Sequence, residues 1–131
     1  MSLFIAHFTD PHITLPHKPF KDVDALQNVK SIVHHINNLA RKPDLTIITG
    51  DLAHEGLKEE YERLKSTLSM LSMPYYLIPG NHDDRDNLRT VFFNHHYFPN
   101  PGKFLNYVIN DFPVRLIGLD TMVPNQGRGE L

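Results

Sequence analysis

Short apolar runs alternate along this chain with longer stretches in which apolar residues recur every three or four positions. Residues 3–8 (LFIAHF), Leu45–Thr49 (LTIIT) and Tyr75–Ile78 (YYLI) are brief, β-prone and closed by polar or turn residues, so each predicts a strand. Val23, Leu26, Val29, Ile32, Val33, Ile36, Leu39 and Ala40 fall at helical spacing, with Asp22 as the N-cap and Pro43 as the stop. Tyr61, Leu64, Leu68 and Leu71 mark a second amphipathic helix over 58–71, with Lys58, Glu59, Glu60, Glu62 and Arg63 on a solvated face. Residues 86–93 predict a short third helix. Residues 104–109 and 114–120 predict two strands, and Asn110, Asp111, Phe112 and Pro113 between them signal a hairpin. His7 alternates with Leu3 and Ile5, which predicts a packed histidine. His34 and His35 fall on the first helix as solvated positions.

Strand, helix, strand, helix, strand is the signature of an α/β fold whose parallel sheet is built by right-handed crossovers. In such sheets, ligands gather outside the carboxyl ends of the strands. Each of the first three strands runs directly into polar chemistry: Asp10-Pro11-His12, then Gly50-Asp51, then Gly80-Asn81-His82-Asp83. The topology therefore brings three loops, distant in sequence, to one sheet edge.

Composition changes this picture in two places. The chain has 131 residues, 40% hydrophobic and 21% charged, enough for one domain with its own core. A net charge of −2 argues against nucleic acid as a partner, because it disfavours a broad basic surface, though not a local one. There are no cysteines, which removes disulfides and thiolate metal sites, and no apolar run approaches the roughly 20 residues that span a bilayer. The expected setting is cytoplasmic, without a membrane. Nine histidines, two of them beside aspartates in short loops, turn attention to metal chemistry.

Asp10 and His12 sit two residues apart, so one carboxylate and one imidazole can reach a single ion. Asp51 has two carboxylate oxygens and can bridge two cations, and Asn81 offers a neutral amide oxygen suited to hard or borderline divalent ions. Gly50 and Gly80 allow sharp turns next to those ions. Taken together, Asp10-x-His12, Gly50-Asp51 with Gly56, and Gly80-Asn81-His82-Asp83 resemble the signature of the calcineurin-like metallophosphoesterase superfamily. The stretches TGDLAHEGLKEEY, PYYLIPGNHDD and RLIGLDT are similar to its bacterial branch of cyclic-nucleotide phosphodiesterases and glycerophosphodiesterases.

That resemblance implies the N-terminal half of an αββα sandwich: a mainly parallel sheet flanked by helices, with the hairpin near the C-terminal end. It implies a metal-dependent hydrolase that cleaves a phosphodiester in a small substrate, such as a cyclic nucleotide or glycerophosphodiester, through a bridging hydroxide on two divalent ions. Manganese, iron, zinc and cobalt all suit the donor set. Asp10 and His12 would hold the first ion, Asp51 both and Asn81 the second. His82 would protonate the leaving oxygen, and Asp83, His54 and His17 would orient the site or meet substrate. Arg85, Arg89 and Arg115 are cations that could reach a phosphate.

Two departures shape these expectations. Serine/threonine protein phosphatases carry Asp and Arg in the Gly-Asp loop, where this chain has His54 and Glu55. This turns the chemistry from phosphoproteins toward diesters, with a phosphomonoesterase or nucleotide pyrophosphatase as the alternative. The family also completes its site with three further histidines, two of them in Gly-His-x-His, a motif that His95-His96 does not match. Residues 1–131 are accordingly expected to form a single truncated domain with an incomplete second metal site. Such a fragment would leave a sheet face uncovered and self-associate to hide it, or would serve at most as a metal-binding or interaction module.

Overall fold

The computed structural model describes residues 2–98 and 102–131. Its elements run β1 (Ile5–Thr9), α1 (Ala25–Asn37), β2 (Leu45–Thr49), α2 (Lys58–Leu68), β3 (Tyr75–Ile78), α3 (Arg85–Val91), β4 (Tyr107–Ile109) and β5 (Leu116–Gly118). β1, β2 and β3 form a parallel sheet in that order, and β4 and β5 form a separate antiparallel pair. Because the sheet grows in one direction, two right-handed crossovers place α1 and α2 on the same face. α2 packs against both α1 and α3. Val29 and Val33 of α1, Leu64 and Leu68 of α2, Leu45 and Ile48 of β2 and Leu77 of β3 are all buried in one core. No helix among the described residues is long and apolar enough to cross a membrane.

The sheet is covered unevenly. Register aligns His7, Ile47 and Tyr76 in one row across the three strands. Their burial rises from exposed through intermediate to buried. At the β3 end, Tyr97 lies 5.0 Å from the Tyr76 ring and 4.9 Å from the ring of Tyr107 on β4, so an aromatic cluster closes that side. At the β1 end nothing comparable is present among the described residues. His7 is therefore not the packed histidine that alternation predicts. It is exposed, and its Nε2 meets the Thr49 hydroxyl at 2.7 Å.

Other boundaries shift for local reasons. α1 starts after Asp24, whose carboxylate accepts from the Gln27 N–H at 2.9 Å, while Asp22 has φ 57° and cannot cap. Val23 consequently stays outside the helix and 46% exposed. Glu60 is also not solvated. It is 1% exposed and reaches back to accept from the N–H groups of Glu55 and Leu57 at 3.0 and 3.1 Å. That closes the N-terminus of α2, where Leu57 has no capping oxygen of its own.

Candidate metal centre

The Asp10 and Asp51 loops are zipped together by continuing the β1–β2 pairing past the ends of the strands. Asp10 N–H donates to Gly50 O, His12 N–H to Asp51 O, Ile13 N–H to Leu52 O, and His54 N–H back to Ile13 O, at 3.2, 2.9, 3.1 and 2.9 Å. Ile13 and Ala53, both fully buried, form the anchoring bridge. Between them the backbone takes a shape that most residues avoid. Asp10, His12 and Asp51 have φ of 53°, 43° and 44°, and Gly50 has φ 72°. Asp and His tolerate the left-handed region better than most side chains, yet each such residue still costs about 1–3 kcal/mol. Three of the four proposed ligands thus sit on strained backbone.

That backbone turns the side chains inward. His12 Nε2 lies 3.5 Å from Asp51 Oδ2 and 3.9 Å from Asp10 Oδ1. Ligand atoms bonded at about 2.1 Å to one ion are roughly 3.0 to 4.2 Å apart, so both separations suit a shared divalent cation, and all three ligand atoms lie within 4.8 Å of one another. Asp51 divides its carboxylate: Oδ2 faces His12, while Oδ1 accepts the His82 N–H at 3.0 Å. Asp51 therefore touches both neighbouring loops. Asn81 and His82 are exposed on the turn that follows Gly80. Gly80 is needed for proximity rather than for its dihedral angles. A Cβ there would lie 2.2 Å from the Asp51 nitrogen and 2.3 Å from Asp51 Oδ1.

Asp83 locks this arrangement from below. It is 7% exposed, and its carboxylate accepts four hydrogen bonds: from Leu52 N–H (3.0 Å), Ala53 N–H (2.9 Å), Gly80 N–H (2.7 Å) and the Tyr61 hydroxyl (2.8 Å). Tyr61 in turn accepts from Asp84 N–H at 2.9 Å. Burial pushes the Asp83 carboxyl above the ordinary carboxylate range, and its donors pull it back. Burial, then the Asp83 charge, raises the Tyr61 phenol. Sequence periodicity presents Tyr61 only as an apolar helix position, and nothing in its spacing reveals that its hydroxyl ties α2 to the loop.

Three imidazoles converge above the lock. The ring centroids of His12 and His54 are 5.5 Å apart, those of His12 and His82 4.9 Å, and those of His54 and His82 5.4 Å. His17 is exposed on the adjoining loop and stands apart from this cluster. The other candidates are engaged elsewhere. Arg85, 10% exposed in its side chain, is not free to meet a phosphate, because its guanidinium grips Asp120 at 2.6 and 2.8 Å. Burial alone would raise Asp120, but the Arg85 hydrogen bonds hold its carboxyl below the usual range. Arg89 bonds Asp86 and Gly102, and Arg115 bonds Asn110. His95 packs on Phe92 and meets the Tyr75 hydroxyl at 3.2 Å, and burial lowers its pKa.

Comparison with known proteins agrees with this geometry. The family model for calcineurin-like phosphoesterases matches residues 4–128. A probable glycerophosphodiester phosphodiesterase of Arcobacter nitrofigilis is 39% identical over 98% of this chain and 47% of its own length. A glycerophosphodiester phosphodiesterase of Enterobacter lignolyticus is 31% identical, with the same coverage of 98% and 47%. A cAMP/cGMP dual specificity phosphodiesterase of Mycobacterium tuberculosis is 30% identical over 97% of this chain and 41% of its own length. The chain thus spans about half the length of these curated relatives, and the match runs through all three loops that build the centre. The chain belongs to the calcineurin-like phosphoesterase family, whose members use divalent metal ions.

Proposed function

We propose that this chain supplies the first half of a phosphodiesterase centre, and that the whole protein hydrolyses a small phosphodiester of the glycerophosphodiester or cyclic-nucleotide class. The observation that carries this reading is the convergence of Asp10, His12 and Asp51 at ligand spacing, with His82 directly beside them. Asp10, His12 and Asp51 would hold the first ion, and Asp51 with Asn81 would contribute to the second. When bound, such ions provide Lewis-acid activation of water and neutralise charge that develops at phosphorus. Manganese, iron, zinc and cobalt remain the candidates that these donors suit.

The chain's own residues supply the rest. His82 Nδ1 meets the His54 carbonyl oxygen at 2.8 Å, so this nitrogen carries a proton and donates. That leaves Nε2 as the nitrogen able to hold and deliver a proton to a leaving alkoxide. The alcohol cleaved from a phosphate ester departs as an alkoxide, and a proton from that nitrogen eases its departure. The acid-plus-arginine pair of protein phosphatases has no counterpart at His54 and Glu55. The names of the relatives, glycerophosphodiester and cyclic-nucleotide phosphodiesterases, support the same substrate class.

With added manganese, the whole protein is expected to hydrolyse bis-p-nitrophenyl phosphate in preference to p-nitrophenyl phosphate. His82→Ala should slow that reaction about 10²- to 10⁴-fold, the usual worth of a general acid. A preference for the monoester would overturn the diesterase reading. The alternative, an interaction module, has one observation in its favour: apolar surface at the hairpin. Val108 is 51% and Ile117 60% exposed. We therefore expect this chain alone to sediment as a dimer at micromolar concentration, and Ile117→Lys to return it to monomer. A wild-type monomer would refute the self-association.

A further inference from the structure

We propose that His54 is a positioning residue whose imidazole fixes the ring of His12. The inference rests on the metal-ligand reading of Asp10, His12 and Asp51 given above. His12 faces the two carboxylates through Nε2. A neutral imidazole that ligates through Nε2 carries its proton on Nδ1. That Nδ1 lies 3.4 Å from Nδ1 of His54, its hydrogen-bond partner among the described residues. His54 must accept there, so its own proton sits on Nε2. Ligation through Nε2 and this contact together assign the tautomer of both rings.

His54 is itself held firmly enough to act this way. Its N–H donates to the buried Ile13 carbonyl at 2.9 Å. Its ring lies on Phe20, with centroids 4.5 Å apart, and stacks with His82 at an interplanar angle of 25°. Its carbonyl oxygen accepts from His82 Nδ1 at 2.8 Å. One residue therefore orients the ligand through its side chain and the proton donor through its main chain. Partners of this kind, which hydrogen-bond the far nitrogen of a ligating histidine, typically contribute 10- to 100-fold in metal affinity.

The test uses this chain loaded with zinc, a diamagnetic ion that suits the same donors, for one readout and titrated with manganese for the other. Long-range ¹H–¹⁵N NMR, recorded well above the ordinary imidazole pKa of about 6.5, reports the tautomer of His12. Wild type should show the proton on Nδ1. His54→Ala should show a mixture of tautomers and bind manganese about 10- to 100-fold more weakly by calorimetry. His54→Asn, whose amide oxygen can accept, should restore the tautomer and most of the affinity. Circular dichroism confirms that each variant is folded, and the asparagine variant serves if the alanine variant is not.

An unchanged His12 tautomer in both variants overturns the proposal, whatever happens to affinity. So does loss of affinity in His54→Asn as deep as in His54→Ala, since that would make His54 a ligand. Failure of the metal-ligand reading looks different. In that case Asp51→Asn would bind manganese as tightly as wild type, and zinc would leave the His12 ring resonances of the wild type unmoved.

Discussion

Asp83→Ala will cost this chain about 4 to 6 kcal/mol of folding stability, a third or more of what a domain of this size usually possesses. The reason is the number of donors that share one buried carboxylate. Leu52, Ala53 and Gly80 N–H groups and the Tyr61 hydroxyl all point at it. Removing it strands each of them at about 1–3 kcal/mol, less whatever water can enter. Tyr61→Phe is the graded control. It removes one donor to Asp83 and orphans only the Asp84 N–H, so about 1–2 kcal/mol is expected. Urea unfolding of the three proteins gives the comparison. A cost for Asp83→Ala no greater than that for Tyr61→Phe would show that the backbone donors find other partners, and that the lock is not what holds the loops together.

Asp51→Asn should have the largest effect on metal binding. Wild type is expected to take up one manganese ion per chain by calorimetry, at the site of Asp10, His12 and Asp51. The variant should bind at least about 100-fold more weakly, since losing even an outer partner of a ligand costs 10- to 100-fold. Asparagine is close in shape but has only one oxygen. If that oxygen keeps the His82 N–H, the amide NH₂ faces the cation; if it turns to the cation, the NH₂ faces the His82 N–H. Neither arrangement satisfies both neighbours. Hydrolysis by the whole protein should fall below detection for the same reason. Unchanged metal affinity in Asp51→Asn would show that the carboxylate at this position is not a ligand.

What could be read from the sequence follows a physical division. β2 and β3 have the predicted limits, because both are short apolar runs closed at each end by turn chemistry. The crossovers that bring the three loops together were equally legible, since topology rules act on whole elements. Detail was lost where tertiary neighbours decide. The apolar periodicity of α1 begins at Val23, but the Phe20–Val23 bridge and the left-handed Asp22 delay the helix. Glu60 reads as a surface charge because its partners are backbone N–H groups, which leave no mark in composition. Alternation gave His7 a buried face, but that face of β1 is covered only in part, at Leu3 and Ile5, and open at His7. The lock at Asp83 needs Tyr61, and no local pattern links them. The proposed site residues could be named from the sequence because metal and phosphate chemistry demands particular side chains at loop positions. Of their supports, Asp83 and His54 were named and Tyr61 was not, because its hydroxyl leaves no mark on the apolar periodicity of α2.

The left-handed backbone at Asp10, His12 and Asp51 sets stability against chemistry residue by residue. Glycine at any of the three would relax the chain and erase a donor atom. A population selected only for thermal endurance would therefore drift toward glycine or asparagine at these positions. One selected for activity would be held where it is. The difference between the two outcomes, at three named positions, would measure how much fold stability the proposed metal centre demands.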